Sequence, residues 1–191
     1  LRRLANQTYN DSDQLFVFFA GHGLFDDVTN MAYLVTTESK LADLERESFI
    51  SASELIGLID HIKCPHTLLT LDVCHGDTFD DYFINTLAEA NRDSGNKKMT
   101  LEQLLARKQV LKTRKLLTAS GKEPVSDGVP GQHSPFAGEL LDTLRQYGGA
   151  DGYYSLGDII KKVERVKPGP RASKFGSDAP GSDFFFIPKK Q

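Results

Sequence analysis

The sequence predicts an α/β domain, a mostly parallel sheet with helices on both faces. Three observations carry that expectation. Apolar runs of strand length, at residues 14–20 and 66–72, each run out into a short polar stretch containing glycine. Helix starts are marked by Ser51 with Glu54, Thr100 with Gln103, Ser134 with Pro135, and Ser155 with Asp158. Strand-like and helix-like segments alternate along the chain, as they do where helices cover both faces of one sheet.

In chain order, Leu1-Arg2-Arg3-Leu4 reads as the tail of a helix, followed by a polar turn at residues 10–13. Residues 14–20 are continuously apolar and rich in aromatics, which predicts a strand buried on both faces. Gly21 and Gly23 flank His22 and let the backbone turn sharply and approach a ligand closely. Residues 31–36 are a shorter strand, and 37–50 a charged surface loop. Ser51 opens a helix to about Lys63, with Leu55, Ile56, Ile59 and Ile62 on one face and Pro65 as its stop. Residues 66–72 are the central strand. Residues 79–92 suit a helix with Phe79, Tyr82, Phe83 and Leu87 inward, and 93–99 a flexible connection. A helix follows from Thr100, then a third strand at 115–120 and a loop at 121–133 rich in Gly and Pro. Helices are expected from Ser134 to about Tyr147 and from Ser155 to about Val166. Residues 167–182 read as loop, and residues 184–187 as a closing strand. No internal repeat is visible.

The 191 residues suit one domain, 1–191, with a first half at 1–92, a connecting segment at 93–114 and a second half at 115–191. Apolar residues at 39% and charged residues at 26% predict a packed core. A net charge of −3 gives no nucleic-acid or anionic-membrane signal, and no apolar run approaches a membrane span. Cys64 and Cys74 are too few for a disulfide framework and fit a reducing compartment, so a cytoplasmic location is expected. The chain starts at Leu1 rather than Met, and that start is expected not to be the natural one.

Chemistry is expected where the strands end. Residues 68–77 carry an acid, Asp72, and then a thiol, Cys74, at the carboxyl end of the central strand; residues 15–23 end in His22 between glycines. In open parallel sheets that end is where ligands collect. A free thiol is mostly protonated at neutral pH, and a neighbouring imidazole can take its proton and later give it to a leaving amine. The backbone N–H groups of Gly23 and Cys74 are candidates for an oxyanion hole.

The 52-residue spacing from His22 to Cys74 is close to the histidine-to-cysteine separation of about 50 in caspases. Phe18-Phe19-Ala20-Gly21-His22-Gly23, followed by Asp72-Val73-Cys74-His75-Gly76, resembles the catalytic strands of caspase-like cysteine peptidases of the C14 type. It looks more like metacaspases and bacterial caspase homologues than animal caspases. Leu116 to Gly121 and the Ser134-Pro135-Phe136 helix start are similar to the small-subunit half. The resemblance covers roughly residues 13–188. It implies a caspase-like three-layer sandwich, with Cys74 as nucleophile, His22 as acid/base and Gly23 N–H in the oxyanion hole. Animal caspases have glutamine two places before the cysteine and bind an acidic P1 residue with arginines. Here that place holds Asp72, as in metacaspases, and a buried carboxylate would favour Arg or Lys at P1. Asp127 is a candidate second wall of that S1 pocket. The expected partner is a protein or peptide substrate with basic P1, with no nucleic acid and no membrane.

Competing readings are blander. Cys74 can be a packed small hydrophobe, Asp72 a loop cap, and Asp127 a solvated acid. His61-x-x-Cys64 has ligand-like spacing, but strand rise would hold Cys74 about 20 Å from Cys64, against zinc. No cofactor is expected; some metacaspases use calcium, which leaves calcium activation open as an alternative, but Asp26-Asp27 reads as a solvated turn and gives it no clear site. The basic residues at 92–115 are a solvated face or, for an enzyme cutting after such residues, a self-processing site. The family fold begins with two strands that have no counterpart here, so an upstream segment or partner chain is expected to complete the sheet beside strand 14–20. The competing function class is a catalytically silent caspase-like signalling or scaffold module. A nucleotide-binding domain has no glycine motif to support it.

Overall fold

The computed structural model describes residues 1–40, 42–73, 100–120, 128–129 and 131–188. The main sheet has the order β1 (Gln14–Ala20), β5 (His66–Asp72), β6 (Thr113–Thr118), β8 (Arg171–Lys174). The first three run parallel, and β8 is antiparallel to β6. A side sheet of β2 (His22–Asp26), β3 (Met31–Val35) and β4 (Ile50–Ser51) is antiparallel throughout. A short pair joins β7 (Tyr154–Ser155) to β9 (Phe185–Phe186).

Alternation along the central strands builds two cores, one on each face. Leu69 and Leu71 of β5, Val73 just after it, and Leu116 of β6 point to a cluster with Ile56 and Ile59 of α2 (Ala52–Asp60) and with Leu4 of α1 (Arg2–Ala5). Leu68 and Leu117 point the other way. They pack against Phe136 and Leu140 of α4 (Pro135–Leu144) and Ile159 and Val163 of α5 (Leu156–Val163). The result is a three-layer α/β sandwich, as expected. A further helix, α3 (Leu101–Lys108), precedes β6.

The helix starts lie where their capping residues put them. Ser51 Oγ accepts from Glu54 N, and Thr100 and Ser155 form reciprocal boxes with Gln103 and Asp158. Ser134 caps α4 and Pro135 occupies its first turn, where a missing N–H costs nothing. The predicted helix 79–92 lies outside the described residues.

Four expectations are corrected. Strand 14–20 is not buried on both faces: Leu15, Val17 and Phe19 are half-buried, while Phe16 and Phe18 are each 39% exposed. The reason is position, since among the described residues β1 pairs only with β5. His22 is not in a loop but opens strand β2, with only Gly21 between the two strands. The third strand starts at Thr113 rather than 115 and so takes in Arg114. The 167–182 stretch contains β8, whose sequence Arg-Ala-Ser-Lys lacks the apolar alternation that marks a strand, because one of its edges is unpaired among the described residues.

Candidate active site

The carboxyl ends of β1, β5 and β6 lie side by side. Ala20 is the register partner of Asp72. Gly21 N donates to Asp72 O at 3.2 Å, carrying the pairing one residue past β1. On the other side Ala119 N donates to Leu71 O at 2.9 Å. A side chain at position 21 would sit tightly, since a Cβ there comes to 3.1 Å from the Phe19 ring. A small residue therefore lets the chain pass directly from β1 into β2.

His22 is solvent-exposed at the start of β2, opposite Val35, and Gly23 is opposite Leu34. The side sheet thus holds the histidine beside the main sheet's carboxyl edge. Tyr33 and Leu34 of β3 are buried, and Asp26 closes the β2–β3 hairpin by accepting from Val28 N at 2.9 Å and Thr29 N at 3.2 Å. Asp26 also lies 3.7 Å from Arg46 Nε. It is committed to its own turn and to that cation, not to solvent alone as the sequence suggested.

Asp72 is only 7% exposed. Ser134 Oγ donates to Asp72 Oδ2 at 2.5 Å, and Ser134 Oγ itself accepts from Ala137 N at 3.0 Å. The carboxylate is therefore held at the start of α4, where the helix dipole favours negative charge. The site residues Cys74 and Asp127 lie outside the described residues. Asp127 immediately precedes Gly128, whose φ of 76° is left-handed and whose added Cβ would meet His133 O at 2.8 Å.

The described residues thus bring together the His22 turn, Asp72 and Ser134. Ser134 was legible as a helix cap but not as a partner of Asp72, from which it is separated by 62 positions. No local signal links residues so far apart.

His61 and Cys64, weighed as zinc ligands, are engaged elsewhere, while Cys74 lies outside the described residues. His61 Nδ1 is 2.6 Å from Gly57 O, and Cys64 Sγ donates toward Asp13 O and His66 O. His66 Nε2 donates to Asp11 O at 3.0 Å, while Nδ1 meets Thr113 Oγ1 at 3.0 Å. Burial pushes the Cys64 thiol up and the His66 imidazole down. Among the described residues no three His, Cys, Asp or Glu side chains converge to hold a metal, and no helix is long and apolar enough to cross a membrane.

A family model described as the caspase domain of C14 peptidases matches residues 1–175. No curated protein matches the chain.

Proposed function

We propose that this chain, which belongs to the caspase-domain family of C14 cysteine peptidases, is an endopeptidase that cuts after Arg or Lys using Cys74 and His22. One observation carries the reading: the parallel register that sets Ala20 against Asp72. Two positions beyond those partners the sequence has His22 and Cys74. Neighbouring strands lie about 4.8 Å apart, so chain segments that leave β1 and β5 at the same level start out close together, which supports pairing the imidazole with the thiol.

The steps follow from the residue types. The imidazole of His22 takes the thiol proton, and Cys74 sulfur attacks the scissile carbonyl carbon. The C–N bond breaks as the imidazolium returns the proton to the leaving amine, leaving a thioester on Cys74. Water, deprotonated by the same imidazole, attacks the thioester, and the acid departs as the thiol is restored. Gly23 and Cys74 N–H groups are the proposed donors to the oxyanion. This chemistry calls on no cofactor.

Asp72 supports the choice of a basic P1 residue. A buried carboxylate at the strand end offers charge-assisted hydrogen bonds to a guanidinium or ammonium, and costs energy against an acidic side chain. Asp127 is the proposed second acid of the pocket. The half-exposed edge at Phe16 and Phe18 supports a further strand, from another segment or chain, completing the sheet beside β1.

The test is hydrolysis of peptides that differ only at P1. Arg and Lys should be cut and Asp should not, and Cys74→Ala should abolish turnover. A preference for Asp at P1 sinks the specificity. Turnover that survives Cys74→Ala sinks the mechanism.

A further inference from the structure

We infer that Ser134 is a positioning residue for substrate selection, its hydroxyl holding the Asp72 carboxylate in the orientation that receives a basic P1 side chain. The inference rests on the proposed S1 role of Asp72. Its own support is the two-sided use of one hydroxyl. Ala137 N donates to Ser134 Oγ at 3.0 Å, and Oγ donates to Asp72 Oδ2 at 2.5 Å. A serine hydroxyl has one proton to give. The helix N–H approaches a lone pair, and the proton is aimed at the carboxylate. The length is that of a charge-assisted O–H···O⁻ bond.

A helix cap alone does not need this arrangement. Capping requires only that Oγ accept from the backbone, and glycine serves at the same position at a cost of a few tenths of a kcal/mol. The donor half of Ser134 is therefore spent on Asp72 and on nothing the helix needs. Pro135 fixes φ at the first helical residue, and the α4 face carrying Phe136 and Leu140 is buried in the core. The hydroxyl thus stands on a rigid support, and that rigidity passes to Asp72. A carboxylate has about four acceptor sites, and the bond from Ser134 takes one of them. Held in one rotamer, it meets an arriving Arg without first losing rotational freedom.

The experiment compares kcat and KM for paired peptides with Arg or the neutral isostere citrulline at P1. The proteins are the wild type, Ser134→Gly, Ser134→Thr and Asp72→Asn. Thermal midpoints are recorded for each, and Ser134→Ala stands in if the glycine loosens the loop. Ser134→Gly should lower the Arg-to-citrulline ratio of kcat/KM about tenfold, the worth of one hydrogen bond to a charged group. The change should lie in KM for Arg rather than in kcat, and Ser134→Thr, which keeps the hydroxyl, should restore the ratio. If Asp72→Asn collapses the ratio but Ser134→Gly leaves it intact, the positioning role falls alone. If the wild type shows no preference for Arg, or keeps it in Asp72→Asn, the S1 reading falls and takes this role with it. Should turnover be absent, the same ratio is read as peptide affinity in the Cys74→Ala background, with the same outcomes.

Discussion

Arg114 is a fully buried guanidinium with nearly every donor spent. Nε pairs with Asp60 Oδ1 at 3.1 Å, Nη1 reaches Pro65 O, Thr67 Oγ1 and Thr113 O, and Nη2 reaches Ile62 O at 2.9 Å. It ties the end of α2 to β5 and β6. Asp60 in turn accepts from Ser177 Oγ at 2.6 Å. Burial pushes the Asp60 carboxyl up, but the Ser177 bonds, Lys112 and Arg114 outweigh it and bring it below the usual carboxylate range. Arg114→Ala should destabilise the fold by about 3–5 kcal/mol, because it removes one partner of Asp60 and leaves several carbonyls without their donor. Denaturant unfolding measures it, and a loss within experimental error would show that the network contributes nothing. The sequence reading placed Arg114 in a basic solvated face. Charge composition does not reveal which member of a basic run faces inward. That depends on where β6 begins, and the apolar stretch from Leu116 suggested too late a start.

His66 carries the pH dependence at the same scale. Its folded pKa is lowered by burial, so the folded state favours the neutral ring and the unfolded state binds the proton more readily below about 6.5. Stability should therefore fall as pH drops below about 6.5. Thermal midpoints of the wild type and His66→Gln between pH 7 and 5 check this: the variant should lose that part of the slope. An equal slope in both would assign the acid sensitivity elsewhere.

Among the elements, β6 decides which bonds are open to self-processing. Arg114 and Lys115 lie in a strand flanked by β5 and β8, and Lys115 Nζ pairs with Asp178 Oδ2 at 2.8 Å with both side chains 3% exposed. A peptidase needs its substrate extended and free in the site, so the bonds after these two residues should resist cleavage in the folded protein. Arg107 and Lys108 close α3 and are shielded in the same way by helical hydrogen bonds. The bond after Lys112 is tied in too, since Ala179 N donates to Lys112 O at 2.8 Å and Thr113 N to Pro65 O at 2.9 Å, so if the chain processes itself in the 92–115 stretch, mass spectrometry of the fragments should find termini after Arg92, Lys97 or Lys98. Cuts after Arg114 or Lys115 in folded protein would contradict the protection argued for β6. Strands 14–20 and 66–72 were legible to the residue because apolar runs with sharp polar ends leave little choice of boundary. β2 and β8 were not. β2 is a hairpin strand of His-Gly-Leu-Phe-Asp, and its two leading residues read as a turn. Its pairing with β3, not its own propensity, makes it extended.

For the whole molecule, membership of the caspase-domain family and the three-layer fold agree with the motif pair read from the sequence. Spacing and strand-end chemistry singled out His22 and Cys74, with Asp72 ahead of the thiol, and the register of β1 with β5 sets Ala20, two residues before His22, against Asp72, two residues before Cys74. Ser134 escaped notice because contact across 62 positions is made by the fold and leaves no local trace. The open edge of β1 has a consequence for behaviour in solution. Phe16 packs edge-on against Phe186 at 5.5 Å, whereas Phe18 is 39% exposed beside an edge that no described strand covers. Phe18→Lys should reduce concentration-dependent association measured by light scattering, since charged residues at edges discourage strand addition. Unchanged association would show that this edge is not the contact.

Labelling with a peptide electrophile bearing Arg at P1, followed by mapping of the modified cysteine, tests the central claim most directly. Cys64 is a built-in control, buried and with its thiol pushed up by burial, and so a poor nucleophile. The account predicts an adduct on Cys74 and not on Cys64, slowed by about two orders of magnitude or more in His22→Ala and absent with Asp at P1. An unlabelled Cys74, or labelling indifferent to His22 and to the P1 side chain, would contradict it.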